Sequence, residues 1–290
     1  MKKKLIFGIF TGLAALPLWL MYLIADIITP VLYHIVKYRR KVVRTNLMNS
    51  FPEKKLKEIR KIERDFYRYL GDQIVETIKT LKISDKELQK RVTVKNYEEV
   101  NKTLKNGKNA VLMMGHYGNW EWAQEITRYF IPEAFMASIY HPLNDKIFDE
   151  LFIKLRSHWG AHIVPMKSAP RVLLNKENMP WVCGFIADAY TWQKHDNNWI
   201  DFLNQKTWFI YGPEEIGKKE GADFFYLEMK RLKRGHYEIF FHPLSPSINT
   251  TALQSSDPHN YPYTREFWSE LEKTINHQPA YWLWSHKRWK

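Results

Sequence analysis

Ala110-Val111-Leu112-Met113-Met114-Gly115-His116-Tyr117-Gly118-Asn119-Trp120-Glu121-Trp122 is the stretch on which the fold turns. Its first five residues are a continuous apolar run, the pattern of a strand buried on both faces. Trp120 to Phe130 then reads as a helix. A buried strand feeding a helix through a short loop is an α/β unit. In open sheets the carboxyl end of such a strand is where ligands bind. His116 lies in that loop, and Gly115 and Gly118 give its backbone room for a tight passage. If the helix begins near Asn119, Glu121 falls in its first turn. Its carboxylate could then hold one ring nitrogen of His116 and leave the other to take a proton. The spacing alone is weak. With 31 acidic residues and 11 histidines among 290 residues, about one His-x-x-x-x-Asp/Glu pair arises by chance. Position at the strand-to-helix junction raises the pair above chance, but from position alone a capped loop histidine stays the leading reading.

Outward from this unit, Phe135–Tyr140, His162–Pro165 and Trp181–Ala187 read as further strands. Asn144 caps a helix expected to run to about Trp159, with Gly160 as its stop. Phe224–Leu232 and Tyr237–Phe241, joined by Lys233-Arg234-Gly235-His236, form a hairpin, and a last helix covers Thr264–Asn276. Upstream, Ser50-Phe51-Pro52-Glu53 reads as a capping box. It opens an amphipathic helix through Leu56, Ile59, Phe66, Leu70 and Ile74, broken near Gly71. That helix packs on the core in preference to laying a basic face on a membrane. There is no repeat, low-complexity tract or long linker. One α/β domain with a central mixed sheet flanked by helices is expected over residues 37–290.

Residues 1–36 form a different unit. Lys2-Lys3-Lys4 precede Leu5–Ala25, 21 positions without a charge. As a helix this is roughly 31 Å, enough to cross a hydrocarbon core. Asp26 interrupts it, a second uncharged run reaches Val36, and Pro17 and Pro30 should kink the segments. Bulky residues after Ala14-Ala15 argue against a cleaved signal peptide. The basic cluster from Lys37 to Arg44 favours a cytoplasmic body. The segment either spans the bilayer or dips into it and returns.

The net charge of +13 suits anionic lipid headgroups or an acidic carrier protein, and no nucleic-acid motif accompanies it. Cys183 is the one cysteine, so no intramolecular disulfide forms; in its apolar run it reads as a buried thiol. His158 and His162 have a spacing that metal ligands use, but Gly160 between them ends the helix, and no metal site is expected.

The block Gly115–Trp122 resembles the His-x-x-x-x-Asp/Glu block of the lysophospholipid acyltransferase superfamily, and most nearly that of the lipid A biosynthesis lauroyl/myristoyl acyltransferases. Arg39-Arg40-Lys41-Val42-Val43-Arg44-Thr45-Asn46-Leu47 is similar to that family's opening. So are Arg156-Ser157-His158-Trp159-Gly160, Ile186-Ala187-Asp188, Phe202-Leu203-Asn204-Gln205 and the ending Trp282–Lys290. The likeness covers nearly the whole chain. It implies a glycerolipid acyltransferase-like fold and an O-acyltransferase without a cofactor or a covalent enzyme intermediate. The acyl chain would pass from an acyl carrier protein or coenzyme A thioester to a hydroxyl of a lipid A precursor. The place implied is the cytoplasmic side of a bacterial inner membrane, among anionic lipids. His116, oriented by Glu121, would be the general base, with helix-start amides holding the oxyanion. Arg156, Asp188 and Asn119 would bind substrate. An amino-acid lipid or lysophospholipid acceptor is the alternative, and a non-catalytic basic membrane binder the more distant one. Asp188-Ala189 stands where relatives often read Asp-Gln, and Phe202-Leu203-Asn204 replaces a Phe-Phe-Gly-like block. Both departures bear on the acceptor and acyl length more than on the reaction.

Overall fold

Nine strands and ten α-helices are found in the computed structural model, which describes residues 2–176, 179–188, 198–246 and 261–289. The strands are β1 (Val92–Val94), β2 (Ala110–Met114), β3 (Phe135–Tyr140), β4 (His162–Pro165), β5 (Trp181–Ile186), β6 (Trp199–Phe202), β7 (Gln205–Trp208), β8 (Asp223–Lys233) and β9 (His236–Pro243). The helices are α1 (Lys2–Ala15), α2 (Leu18–Pro30), α3 (Arg40–Ser50), α4 (Leu56–Lys79), α5 (Asp85–Gln89), α6 (Glu98–Lys105), α7 (Lys146–Arg156), α8 (Ala169–Leu173), α9 (Gly212–Lys219) and α10 (Pro262–His277).

Seven strands form one mixed sheet in the order β1-β9-β8-β2-β5-β3-β4, in which only the β8–β9 hairpin is antiparallel. Every residue of β2 is buried, which explains its unbroken apolar run. Val111 and Met113 pack with Phe267, Trp268 and Leu271 of α10 and their neighbours. Ala110, Leu112 and Met114 join the opposite core with Val75, Leu104 and Trp122. The expected strands, hairpin and last helix are found within a residue or two.

Several local expectations are corrected. Ser50 does not open a helix but ends α3, because Phe51 turns inward against the Trp284 ring. α4 starts at Leu56, where the Glu58 carboxylate accepts from the Lys55 N–H at 2.9 Å. α4 then runs unbroken through Gly71. A Cβ there would lie 2.3 Å from Thr29 Oγ1 and 3.2 Å from the Ala25 carbonyl, so this glycine lets α2 approach closely. α7 is capped by Asp145, not Asn144, and ends at Arg156, short of Trp159. The segment after the His116 loop is a 3-10 helix, Trp122–Tyr129.

The second sheet, β6–β7, escaped the sequence reading. Its two-residue turn is Leu203-Asn204, with φ of 49° and 59°, where glycine is the usual signal. The Leu203 side chain is buried, and its N–H donates to Glu272 at 2.7 Å. Ala189 lies outside the described residues.

The N-terminal segment divides at Pro17, as its kink requires, and Pro30 leads into a π-helical turn, Val31–Ile35. Leu18–Ile35 is long and apolar enough to cross a membrane by length and composition, with 22% of it buried. The buried face, Leu18, Met21 and Ala25, belongs to the same core as Val75 of α4. Trp19, Leu23, Ile27, Val31 and Ile35 form an exposed apolar stripe at four-residue steps on the outer face. α1 also stays against the body. Lys3 pairs with Glu150, Phe10 meets Phe148 edge-on at 5.9 Å, and the Lys79 ammonium donates to the Ala14 and Leu16 carbonyls.

Candidate active site

The loop after β2 is shaped by two glycines. At Gly115 a Cβ would meet Leu271 of α10 at 2.8 Å; Gly118 has a φ of +63° and sits against the Met229 carbonyl. Two other segments grip the loop. The Tyr69 hydroxyl of α4 donates to the Gly118 carbonyl at 2.6 Å. The chain after α10 pairs with it as an antiparallel bridge between Tyr117 and Trp282. There the Gly118 N–H donates to Tyr281 at 3.0 Å and the Leu283 N–H to the His116 carbonyl at 3.1 Å.

His116 is held by Asp188, at the end of β5, and not by Glu121. The ring Nδ1 lies 2.7 Å from Asp188 Oδ1, and the His116 backbone N–H donates to Oδ2 at 3.0 Å. Oδ2 also accepts from the Trp282 indole at 2.8 Å, with the Arg288 guanidinium 3.5 Å away. Asp188 is fully buried. Burial alone would raise its carboxyl, but the His116 ring, Arg288 and the Trp282 N–H together hold it well below the usual carboxylate range. An ionised carboxylate only accepts, so Nδ1 carries a proton, and in the neutral ring the lone pair is on Nε2. Among the described residues Nε2 makes no hydrogen bond, and the side chain is 25% exposed.

Glu121 serves a different partner. Its carboxylate takes a two-pronged pair from Arg156, at 2.9 Å from Nε and 2.7 Å from Nη2. The Trp120 indole stands between His116 and Glu121, edge-on to the ring at 5.3 Å and donating to the carboxylate at 3.2 Å. The reason is the 3-10 geometry. Asn119 accepts the Trp122 and Ala123 amides at 3.0 and 3.2 Å and sets the helix start after the histidine. Those two amides are therefore already paired within the turn. Asn119 does not face a ligand: it is fully buried, its amide on Glu76 and its oxygen taken by Gln73 and Trp122.

Trp120, Glu121 and Arg156 also line a narrow apolar cleft of about 60 Å³ that continues among Leu112, Met114, Met136 and Ile186. Among the described residues no three His, Cys, Asp or Glu side chains gather so as to hold a metal. His162 stacks on Phe135 at 4.5 Å and His158 lies edge-on to Trp159. Cys183 is buried in β5, where burial pushes its thiol up.

The sequence reading missed the polar support in α4. Tyr69, Asp72, Gln73 and Glu76 are all buried and recur at helical spacing on one stripe. Polar residues at core positions of an amphipathic helix were the available signal. The packing of the Trp282–Arg288 end against Asp188 was not foreseeable from spacing.

The family model for bacterial lipid A biosynthesis acyltransferases matches residues 3–290. No curated protein matches the chain significantly.

Proposed function

The chain belongs to the bacterial lipid A biosynthesis acyltransferase family and is an acyltransferase, and on that premise we propose that His116, held by Asp188, is its general base. The acyl chain passes from an acyl thioester, carried by acyl carrier protein, to a hydroxyl of a lipid A precursor. The observation that carries this reading is the 2.7 Å contact from His116 Nδ1 to Asp188, which leaves Nε2 as a lone pair at the carboxyl end of β2.

Nε2 takes the acceptor's hydroxyl proton as that oxygen attacks the thioester carbonyl. The tetrahedral intermediate collapses, the C–S bond breaks, and the leaving thiolate recovers the proton from Nε2. Asp188 stabilises the imidazolium between these steps, as a buried carboxylate does in other acyl-transfer sites. Glu121 holds Arg156, whose Nη1 makes no hydrogen bond among the described residues and is offered to a phosphate of the acceptor or carrier. The acyl chain extends into the apolar cleft, with the unbranched Met114 and Met136 giving way to it.

The enzyme works at the cytoplasmic face of the inner membrane. The exposed stripe of α2 needs an apolar environment, and the basic cluster at 37–44 faces anionic headgroups. Purified protein is assayed with a lipid A precursor in detergent and an acyl-carrier thioester, and the products are weighed by mass spectrometry. His116→Ala should lower turnover on the order of a hundredfold or more. Near-normal turnover in that variant defeats the mechanism. Acylation of an amino-acid lipid or lysophospholipid in place of the lipid A precursor defeats the assignment of acceptor.

A further inference from the structure

Glu76 lies in the last turn of α4, fully buried, and is not part of the chemistry above. Its two carboxylate oxygens face different parts of the molecule. Oε1 accepts from the Tyr22 hydroxyl of α2 at 2.7 Å. Oε2 accepts from the Asn119 amide of the His116 loop and from the Tyr237 hydroxyl of β9, each at 2.7 Å. All three direct partners are neutral. Burial raises the Glu76 carboxyl, and Arg231, the cation that works against this, is bonded to Asp72. A buried carboxylate with no direct counter-ion depends on every hydrogen bond it receives.

We propose that Glu76 is a positioning residue that couples the seating of α2 to the His116 loop through the chain Tyr22–Glu76–Asn119. This rests on the reading of the chain as an acyltransferase with His116 as base. Tyr22 projects from a helix whose outer face carries exposed Trp19 and Leu23, so a force that tilts or lifts α2 moves the phenol. Asn119 is fixed at its other atoms by Gln73 and the Trp122 amide, and it sits three residues beyond His116. α4 grips the loop a second time through Tyr69, two turns before Glu76 on the same stripe. If Tyr22 withdraws, Oε1 loses its donor. The carboxylate then turns to find another, and Oε2 draws on Asn119. The loop shifts, and with it the Nε2 that must meet the acceptor hydroxyl. Asp188 holds the ring but not the far end of the loop.

The test uses the full chain. Tyr22→Phe removes one hydroxyl that touches neither His116 nor the cleft, and Glu76→Gln keeps the shape of the hub while removing its charge. Kinetics in vesicles containing the lipid acceptor, and hydrogen exchange of residues 115–122, are compared with wild type. The expected result for Tyr22→Phe is a kcat lowered about tenfold with KM for the acyl thioester unchanged. Exchange in 115–122 should quicken by roughly tenfold, while α10 exchanges as in wild type. Glu76→Gln should show the same split more strongly. Unchanged kcat and unchanged loop exchange in a folded Tyr22→Phe protein overturns the coupling. So does a loss accompanied by equal quickening throughout the chain, which would mark Glu76 as a stabiliser only. A wild-type protein that transfers no acyl chain refutes the functional reading instead, and the loop exchange still decides the coupling.

Discussion

His116 and Asp188 divide a task between them, and the division can be probed atom by atom. Asp188 receives three N–H donors: the His116 ring, the His116 backbone and the Trp282 indole. Asp188→Asn turns one acceptor oxygen into a donor, so in either orientation one N–H faces another. We expect kcat to fall on the order of a hundredfold or more with the fold retained, because the imidazole no longer presents Nε2 as its lone pair. Steady-state kinetics and a thermal melt check both halves. Arg156→Lys keeps the charge and loses the planar fork, so it should act mainly on KM for the acceptor. Unchanged kinetics across acceptor concentrations would assign Arg156 to structure alone. These two residues also show how far the sequence could be read. The histidine, and its place after a buried strand, were legible from residues 110–116. Its partner was not, because Glu121 is near in the chain while Asp188 is 72 residues away, in the turn after another strand. Five residues of spacing cannot foresee a 3-10 turn that swings a carboxylate past Trp120 to an arginine.

Among the elements, α2 and α4 meet where Gly71 has no side chain. Gly71→Ala should destabilise the protein by about 1–3 kcal/mol, the usual cost of overpacking. Thr29→Ala should recover part of it by removing the oxygen that the new methyl meets. A double-mutant cycle in the thermal midpoint measures this; additive effects would mean the helices do not press together there. The segment after α10 offers a pH test. Burial, with Arg288 adding to it, lowers the His286 ring to about 4. A base neutral in the folded protein but of ordinary basicity when unfolded gives stability at neutral pH. That stability is lost as pH falls from about 6.5 toward the folded value. The thermal midpoint should therefore drop across that window, and drop less in His286→Gln; identical profiles would rule out His286 as the source. Elements with strong apolar periodicity or an obvious turn were readable in the sequence. β6–β7 was not, since its turn puts a leucine where the backbone favours glycine, and tertiary burial of Leu203 compensates.

For the whole molecule, on the proposed membrane reading, the outer stripe of α2 and the basic surface would act on the same partner by different physics. Apolar insertion is indifferent to salt. Attraction of lysines and arginines to anionic lipid, roughly 1 kcal/mol for each close cation, is screened by it. Changing Trp19, Leu23 and Ile27 together to serine should leave a folded protein that high salt washes from membranes, while wild type stays. Deleting residues 1–36 should be harsher. It uncovers the α4 surface now packed under Leu18, Met21 and Ala25, and the product should aggregate. A folded, active truncation would show instead that α2 is dispensable to the core. The strap formed by Trp282, Leu283 and Arg288 has a consequence in time. On the ribosome α1 and α2 emerge long before the loop, and the loop emerges 172 residues before Arg288. At bacterial rates of about 5–20 residues per second, that interval is on the order of ten to thirty seconds. Throughout it the nascent histidine lacks the bridge at Trp282 and the cation beside Asp188. On the function proposed above, the chain meets a lipid surface before its base is complete, which would keep a half-made enzyme from spending thioester on water.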